Sequence, residues 1–328
     1  MSTIKLDNVY ILNYATAVTE DEANGPLGNN FDVYYDNLYC NEETYEKAEQ
    51  KLLKSAIHQS LAKASITIND IGYAIGGDLM NQLMTTNYVL RDFHIPTIGI
   101  YGACSNSALS ISMASVITSL TKEKTLASTA SHYACAEKQF RYPNEYGIQK
   151  RATTTTTVSG AGALILTTKK HSIKISSITI GRIIDANQND ANDMGSPMSV
   201  AAFDTIVTHL KNTDTVAHDY DLIITGDLSK LGHSILKDMM NENGYCTDNL
   251  EDCGLIIYEG LNDKFLGGSG CACSMLVLLS DIFPKLEQRI YRKVLFVATG
   301  ALLSPIAIQQ KDTIPCIAHG ICFERGNV

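Results

Sequence analysis

The sequence predicts an α/β fold built from two similar halves, on three observations. Apolar, strand-like segments alternate with helix-like ones along most of the 328 residues. An apolar strand ending in Gly-Asp-Leu occurs twice, as Gly72-Tyr-Ala-Ile-Gly-Gly-Asp-Leu and as Asp221-Leu-Ile-Ile-Thr-Gly-Asp-Leu. A Gly102-Ala-Cys-Ser turn stands between an apolar strand and a helix of small residues. A chain of this length can hold one large core made of two halves. We set the halves at residues 1–185, which carry the cysteine turn, and 186–328.

The elements follow from periodicity. In 44–64, Ala48, Leu52, Ala56 and Leu61 share one face among strong helix formers, which predicts an amphipathic helix. Residues 70–77 read as a short strand ending in glycines. A helix over 80–93 must stop before Pro96. A strand starts at Thr97, and 106–121 is apolar nearly all round, as a buried helix is. Residues 125–130 and 157–167 read as core strands. The second half repeats the order, with helices at 198–211 and 231–242 and strands at 221–225, 294–299 and 314–323. A likeness between Thr157–Leu166 and the segment from Gly268 through the apolar run 275–279 supports duplication. The polar, turn-rich stretch 185–197 falls near the joint.

Composition removes several classes of function. Hydrophobic residues make up 45% and charged ones 19%, as in a globular chain. The net charge is -9 without a basic stripe, which argues against a nucleic-acid partner. No apolar run reaches the roughly 20 residues of a membrane span, and the first residues lack a signal peptide's apolar region. Nine scattered cysteines, an odd number, suit a reducing compartment better than a disulfide framework. Cys271-x-Cys273 has no second pair at zinc spacing, so no metal is expected. Neither a P-loop nor a strand-linked Gly-x-Gly-x-x-Gly is present, so no nucleotide and no other cofactor is expected.

Cys104 is the sharpest chemical feature. The helix after it aims N–H groups at the thiol, which favours thiolate and would equally favour a bound carboxylate. A cysteine nucleophile needs a base or a hydrogen-bonding histidine. Of eight histidines, His132 in Ala130-Ser-His-Tyr is placed best, after a core strand; His58, His209, His233 and His319 have no motif around them. Lys138, Arg141, Lys150 and Arg151 lie among aromatics in 137–151. Such charges are either solvated or available to an anionic ligand. Asp78 and Asp227 end the matching strands and either cap turns or face a shared cleft.

The order of strand, Gly-Ala-Cys-Ser, buried helix, second half and glycine-rich motif resembles the thiolase superfamily, which includes the ketoacyl-ACP synthases. That resemblance implies two halves stacked in a five-layer α-β-α-β-α core, with Cys104 at the nucleophile position. The second half departs from the pattern. Gly226-Asp227 stands where the third type of synthase carries histidine, and Gly268-Ser269-Gly270 stands where asparagine or Gly-His-Pro is found. Cys104 then reads as a vestigial nucleophile without catalytic partners. The segments GGDLMNQ, IYGACSNSALSISMASVI, SHYACAEKQFRYPNEYG, DLIITGDL, GGSGCACS and ALLSPIAIQQKDTIPCIAHG resemble, more closely, the stage V sporulation protein AD family.

That resemblance implies a noncatalytic component of the SpoVA system. Such a component binds dipicolinic acid or its calcium chelate, works with the other SpoVA membrane subunits, and sits peripherally on the inner membrane of the forespore or spore. It leaves a homodimer open. The ligand is expected near Cys104 and Ser105, lined by Ser131, His132 and Ser269. Asp78 and Asn81 would hydrogen-bond to it, and Lys138 or Arg151 would pair its carboxylate. The rival expectation is an acyltransferase or condensing enzyme of the ketoacyl synthase type that works through Cys104.

Overall fold

The computed structural model describes residues 2–140, 154–264 and 266–326. The strands of the first half are β1 (Tyr10–Val18), β2 (Tyr73–Gly77), β3 (Thr97–Gly99), β4 (Thr125–Ser131) and β5 (Gly160–Thr167). Those that follow are β6 (Ile173–Thr179), β7 (Leu222–Thr225), β8 (Leu250–Asp252), β9 (Lys293–Ala301) and β10 (Pro315–Arg325). Among the described residues they belong to a thirteen-stranded sheet whose main path runs β8-β7-β9-β10-β6-β1-β5-β4-β2-β3. Read outward from its centre, the path repeats itself. In β1-β5-β4-β2-β3 the last three strands are parallel and the first two pairings antiparallel. In β6-β10-β9-β7-β8 the same pattern holds. The two runs meet only where Tyr10 and Ile11 pair with Lys174 and Ile173. By this pattern β6 goes with the later strands, although it lies ahead of residue 185.

Helices fill the space on both faces and between the halves. Helix α1 (Tyr45–Lys63) begins at Thr44, whose side chain accepts from the Lys47 N–H. It buries Ala48, Leu52, Leu53, Ala56 and Ile57 against β1 and β5. Helix α2 (Met84–Arg91) packs beside α1. Helix α3 (Asn106–Thr121) packs on β2 and β4 from one side and on β9 and β10 from the other. It therefore lies in the middle layer. Helix α4 (Tyr133–Phe140) leans on α1. In the second half α5 (Gly195–Thr213) covers β9 and β10, and α6 (Ser229–Glu242) packs on α5. Helix α7 (Cys271–Val277) joins α3 in the middle layer, where the Ser107 and Ser274 hydroxyls meet at 2.7 Å. The result is the expected five layers of helix, sheet, helix, sheet and helix.

Four expectations change. The run 275–279 is helical, so its likeness to 157–167 is not a structural repeat; the counterpart of β5 is β10. Strand 157–167 divides into a two-residue bridge, Thr156–Thr157, and β5. The helix over 80–93 is shorter, because Gln82 and Leu83 take left-handed backbone angles ahead of α2. The segment Ala103–Thr121 is long and apolar enough by composition to cross a membrane. It is 67% buried between the two halves, as a core helix is.

Candidate functional site

The cysteine turn is held from three sides. Ala103 takes a left-handed φ of 51°, which swings the chain from β3 into α3. Asn106, in the first turn of α3, accepts from the Gly102 N–H at 2.7 Å and donates to the Asp78 carbonyl at 3.1 Å. This ties the turn to the end of β2. From the second half, Gly300 on β9 passes so close that a Cβ there would stand 2.2 Å from the Gly102 carbonyl oxygen. Cys104 is thereby fixed at the seam between the halves, 9% exposed.

Opposite the thiol stands Asp227, at the end of β7. Its Oδ2 accepts from the Gly270 N–H at 2.9 Å and its Oδ1 from the Thr299 hydroxyl at 2.9 Å. The Cys104 thiol lies close to the same carboxyl. Burial pushes Asp227 up to about 7, against the pull of the nearby thiol and of the Gly270 and Thr299 donors. Burial, then the Asp227 charge, drives the Cys104 thiol well above its ordinary range. The expected thiolate is therefore corrected. The short 3₁₀ turn Ala103–Ser105 and the helix behind it do not overcome desolvation and a facing carboxyl. Proton transfer from thiol to carboxylate is uphill, so Asp227 does not act as its base.

Beside this pair is a small cavity of about 40 Å³, walled by Tyr101, Cys104, Phe140, Thr157, Ser269 and Leu303 among others. That is room for a few water molecules at most. It adjoins a wider groove of about 320 Å³, which shares Tyr101, Phe140 and Leu303 and adds Asn81, Gln82 and Ser304. Among the described residues, no histidine, lysine or arginine lines either space.

The expected site residues divide accordingly. Cys104 and Ser269 line the cavity, and Asn81 lines the groove. Parallel pairing of Gly268–Ser269 with Thr156–Thr157 is what brings Ser269 there. The rest turn elsewhere. Ser105 is buried and donates to the Gly102 carbonyl. Ser131 donates to Val158 and accepts from the Ala272 N–H, bracing the Gly270 turn from behind. Asp78 accepts from the Met80 and Thr86 N–H groups, so it caps the approach to α2. His132 hydrogen-bonds to the Leu38 carbonyl at 2.8 Å and packs on the Tyr45 ring, away from Cys104. Burial lowers its pKa to about 4, so it is neutral. Lys138 reaches Glu46 at 2.7 Å. Arg151 lies outside the described residues, as do Arg141 and Lys150. Sequence reasoning leaves Asp227 undecided between cap and cleft and passes over Tyr101, Phe140 and Leu303.

Cys271 and Cys273 do not form a metal centre. Their thiols donate to the Ala130 and Gly226 carbonyls, and no group of three His, Cys, Asp or Glu among the described residues has metal-holding geometry. All nine cysteines are free.

With this geometry in hand, solved structures define the class: the fold is that of the thiolase-like condensing enzymes. OleA of Xanthomonas campestris, in a single-residue variant, is similar over 98% of this chain and 99% of its own, at TM-score 0.62 and 13% identity. 3-Oxoacyl-[acyl-carrier-protein] synthase III of Aquifex aeolicus is similar over 96% and 99%, at TM-score 0.60 and 12% identity. Within that class the sequence is more particular. The family model "Stage V sporulation protein AD (SpoVAD)" matches residues 1–324. Stage V sporulation protein AD of Bacillus subtilis is 46% identical over 319 residues, covering 97% of this chain and 94% of its own. The chain belongs to the stage V sporulation protein AD family.

Proposed function

We propose that this chain is a noncatalytic, thiolase-like sporulation protein that binds dipicolinic acid or its calcium chelate. In this reading it serves the SpoVA membrane subunits at the inner spore membrane. One observation carries the noncatalytic part: Cys104 faces the Asp227 carboxyl, where a condensing enzyme needs an imidazole. A thiol held protonated is a poor nucleophile, and no second base stands by it among the described residues. The ligand part rests on family membership, and the shape of the site supports it. A planar aromatic ring suits a groove walled by Tyr101, Phe140 and Leu303 with the Asn81 amide at its edge.

The ring is too large for the inner cavity of about 40 Å³. We therefore seat it in the groove, with one carboxyl turned toward Cys104 and Ser269. Calorimetric titration of the purified protein with dipicolinate, with and without calcium, tests this. Tyr101→Ala and Asn81→Ala should weaken binding about tenfold or more, and His132→Ala should leave it unchanged. Absence of heat and of thermal stabilisation at millimolar ligand would remove the ligand reading. Loss of binding in His132→Ala alone would move the seat.

A further inference from the structure

Behind the cavity wall lies a buried acid that the site does not use. Glu49, on α1, is 1% exposed, and its Oε1 has no hydrogen-bond partner. The Thr85 hydroxyl on α2 and the Cys135 thiol on α4 lie beside it. Thr85, Thr86 and Ser128 hydroxyls in the same layer are also buried without partners among the described residues. The charged and titratable groups that face Glu49 are Asp78 at the end of β2, Glu46 on its own helix, Cys135 on α4 and Cys271 on α7. Among the described residues none of these is a cation, and Lys138 is taken up by Glu46. An ionised carboxylate without a cation or enough donors cannot be kept in such a place. Helix α4 meets this acid through Cys135, and through Ala136 and Phe140 it forms a wall of the cavity.

We infer that Glu49 is a positioning residue: as the neutral carboxylic acid it lets α4 seat on α1, and this holds the Ala136 and Phe140 wall in place. Ionisation forces the carboxylate toward water, against the packing of the two-turn helix α4 on α1. Burial raises the Glu49 pKa to about 8, so the seat is kept through neutral pH and lost in mild alkali. The inference concerns the same site as the ligand reading, but its test uses no ligand, so the two can fail separately.

Amide hydrogen exchange across 133–140, corrected for intrinsic rates, is measured between pH 6.5 and 9. The wild type should lose protection about tenfold or more over that range, while Glu49→Gln stays flat. Equal loss in wild type and Glu49→Gln, or no loss in the wild type, overturns the inference. Should Glu49→Gln fold poorly, Glu49→Met provides a second neutral side chain, and equal loss in wild type and Glu49→Met overturns the inference.

Discussion

Replacing Asp227 with alanine leaves the Gly270 N–H and the Thr299 hydroxyl without their acceptor in a buried place. Each orphan costs about 1–3 kcal/mol, so the urea midpoint should fall clearly. Asp227→Asn can keep both contacts, with its oxygen toward Gly270 and its amide toward Thr299, and should stay near wild-type stability at neutral pH. The same pair of variants reports on ligand charge. A dipicolinate carboxyl beside Asp227 raises that residue's proton affinity, so binding takes up a proton. Affinity for the free dianion should therefore rise as pH falls from 8 to 6, and Asp227→Asn should remove that dependence in calorimetry. Cys104 could be found in the sequence because its turn chemistry is local. Asp227 was visible only as the end of a repeated strand. Its role depends on Gly270 and Thr299, brought in from other segments by the tertiary fold. His132 misleads for the same reason. A histidine after a core strand has two sides to choose from, and this one turns to Leu38.

At the level of elements, duplication was legible where a strand carried its own punctuation, as in the two Gly-Asp-Leu endings of β2 and β7. It was not legible in β1 and β6, the strands that join the halves. In β6, Ile173 and Ile175 alternate with Lys174, a signal too short to separate from a loop without its partners. Apolar runs are ambiguous by period, which is why α7 and β5 look alike in sequence and differ in fold. Strand order groups β6 with the later strands. A close contact between elements lies at the seam between the halves, where β9 crosses the cysteine turn. Gly300→Ala would drive a methyl group into the Gly102 carbonyl. Backbone lies on both sides, so the strain cannot be relieved by a rotamer change. The variant should lose about 1–3 kcal/mol or more and expose Cys104 to alkylation. Unchanged stability and unchanged labelling would show that the two segments are not pressed together.

The molecule as a whole holds several buried acids above their ordinary range: Glu22, Glu49, Asp78, Asp227 and Asp252. Burial is the first cause for each. Each binds its proton more tightly folded than unfolded. Between the unfolded and folded pKa the native state therefore holds more protons, and stability falls as pH rises. The window runs from the ordinary carboxylate range up through about 6 for Asp252, about 7 for Asp227 and about 8 for Glu49. Each group contributes at most about 1.4 kcal/mol per pH unit inside its window. Melting temperature should therefore drop from pH 7 to 8.5, where the buried histidines are neutral both folded and unfolded, and Glu49→Gln should flatten that drop.

The homodimer left open by the sequence would have the outer edge of the sheet to form on. β3 is exposed along its length, with Ile98, Tyr88 and Tyr101 open around it. An apolar edge strand invites a second strand. Light scattering of the wild type and of Ile98→Lys decides whether this edge pairs two copies.

The account turns on whether the sulfur at the seam is chemically idle. Incubation of the purified protein with a range of acyl-CoA thioesters, followed by intact-mass spectrometry, asks this directly. The predicted spectrum is that of the unmodified chain, with an adduct appearing only when Asp227→His supplies an imidazole. A wild-type acyl adduct mapped to Cys104, and discharged onto an acceptor with turnover, would contradict it.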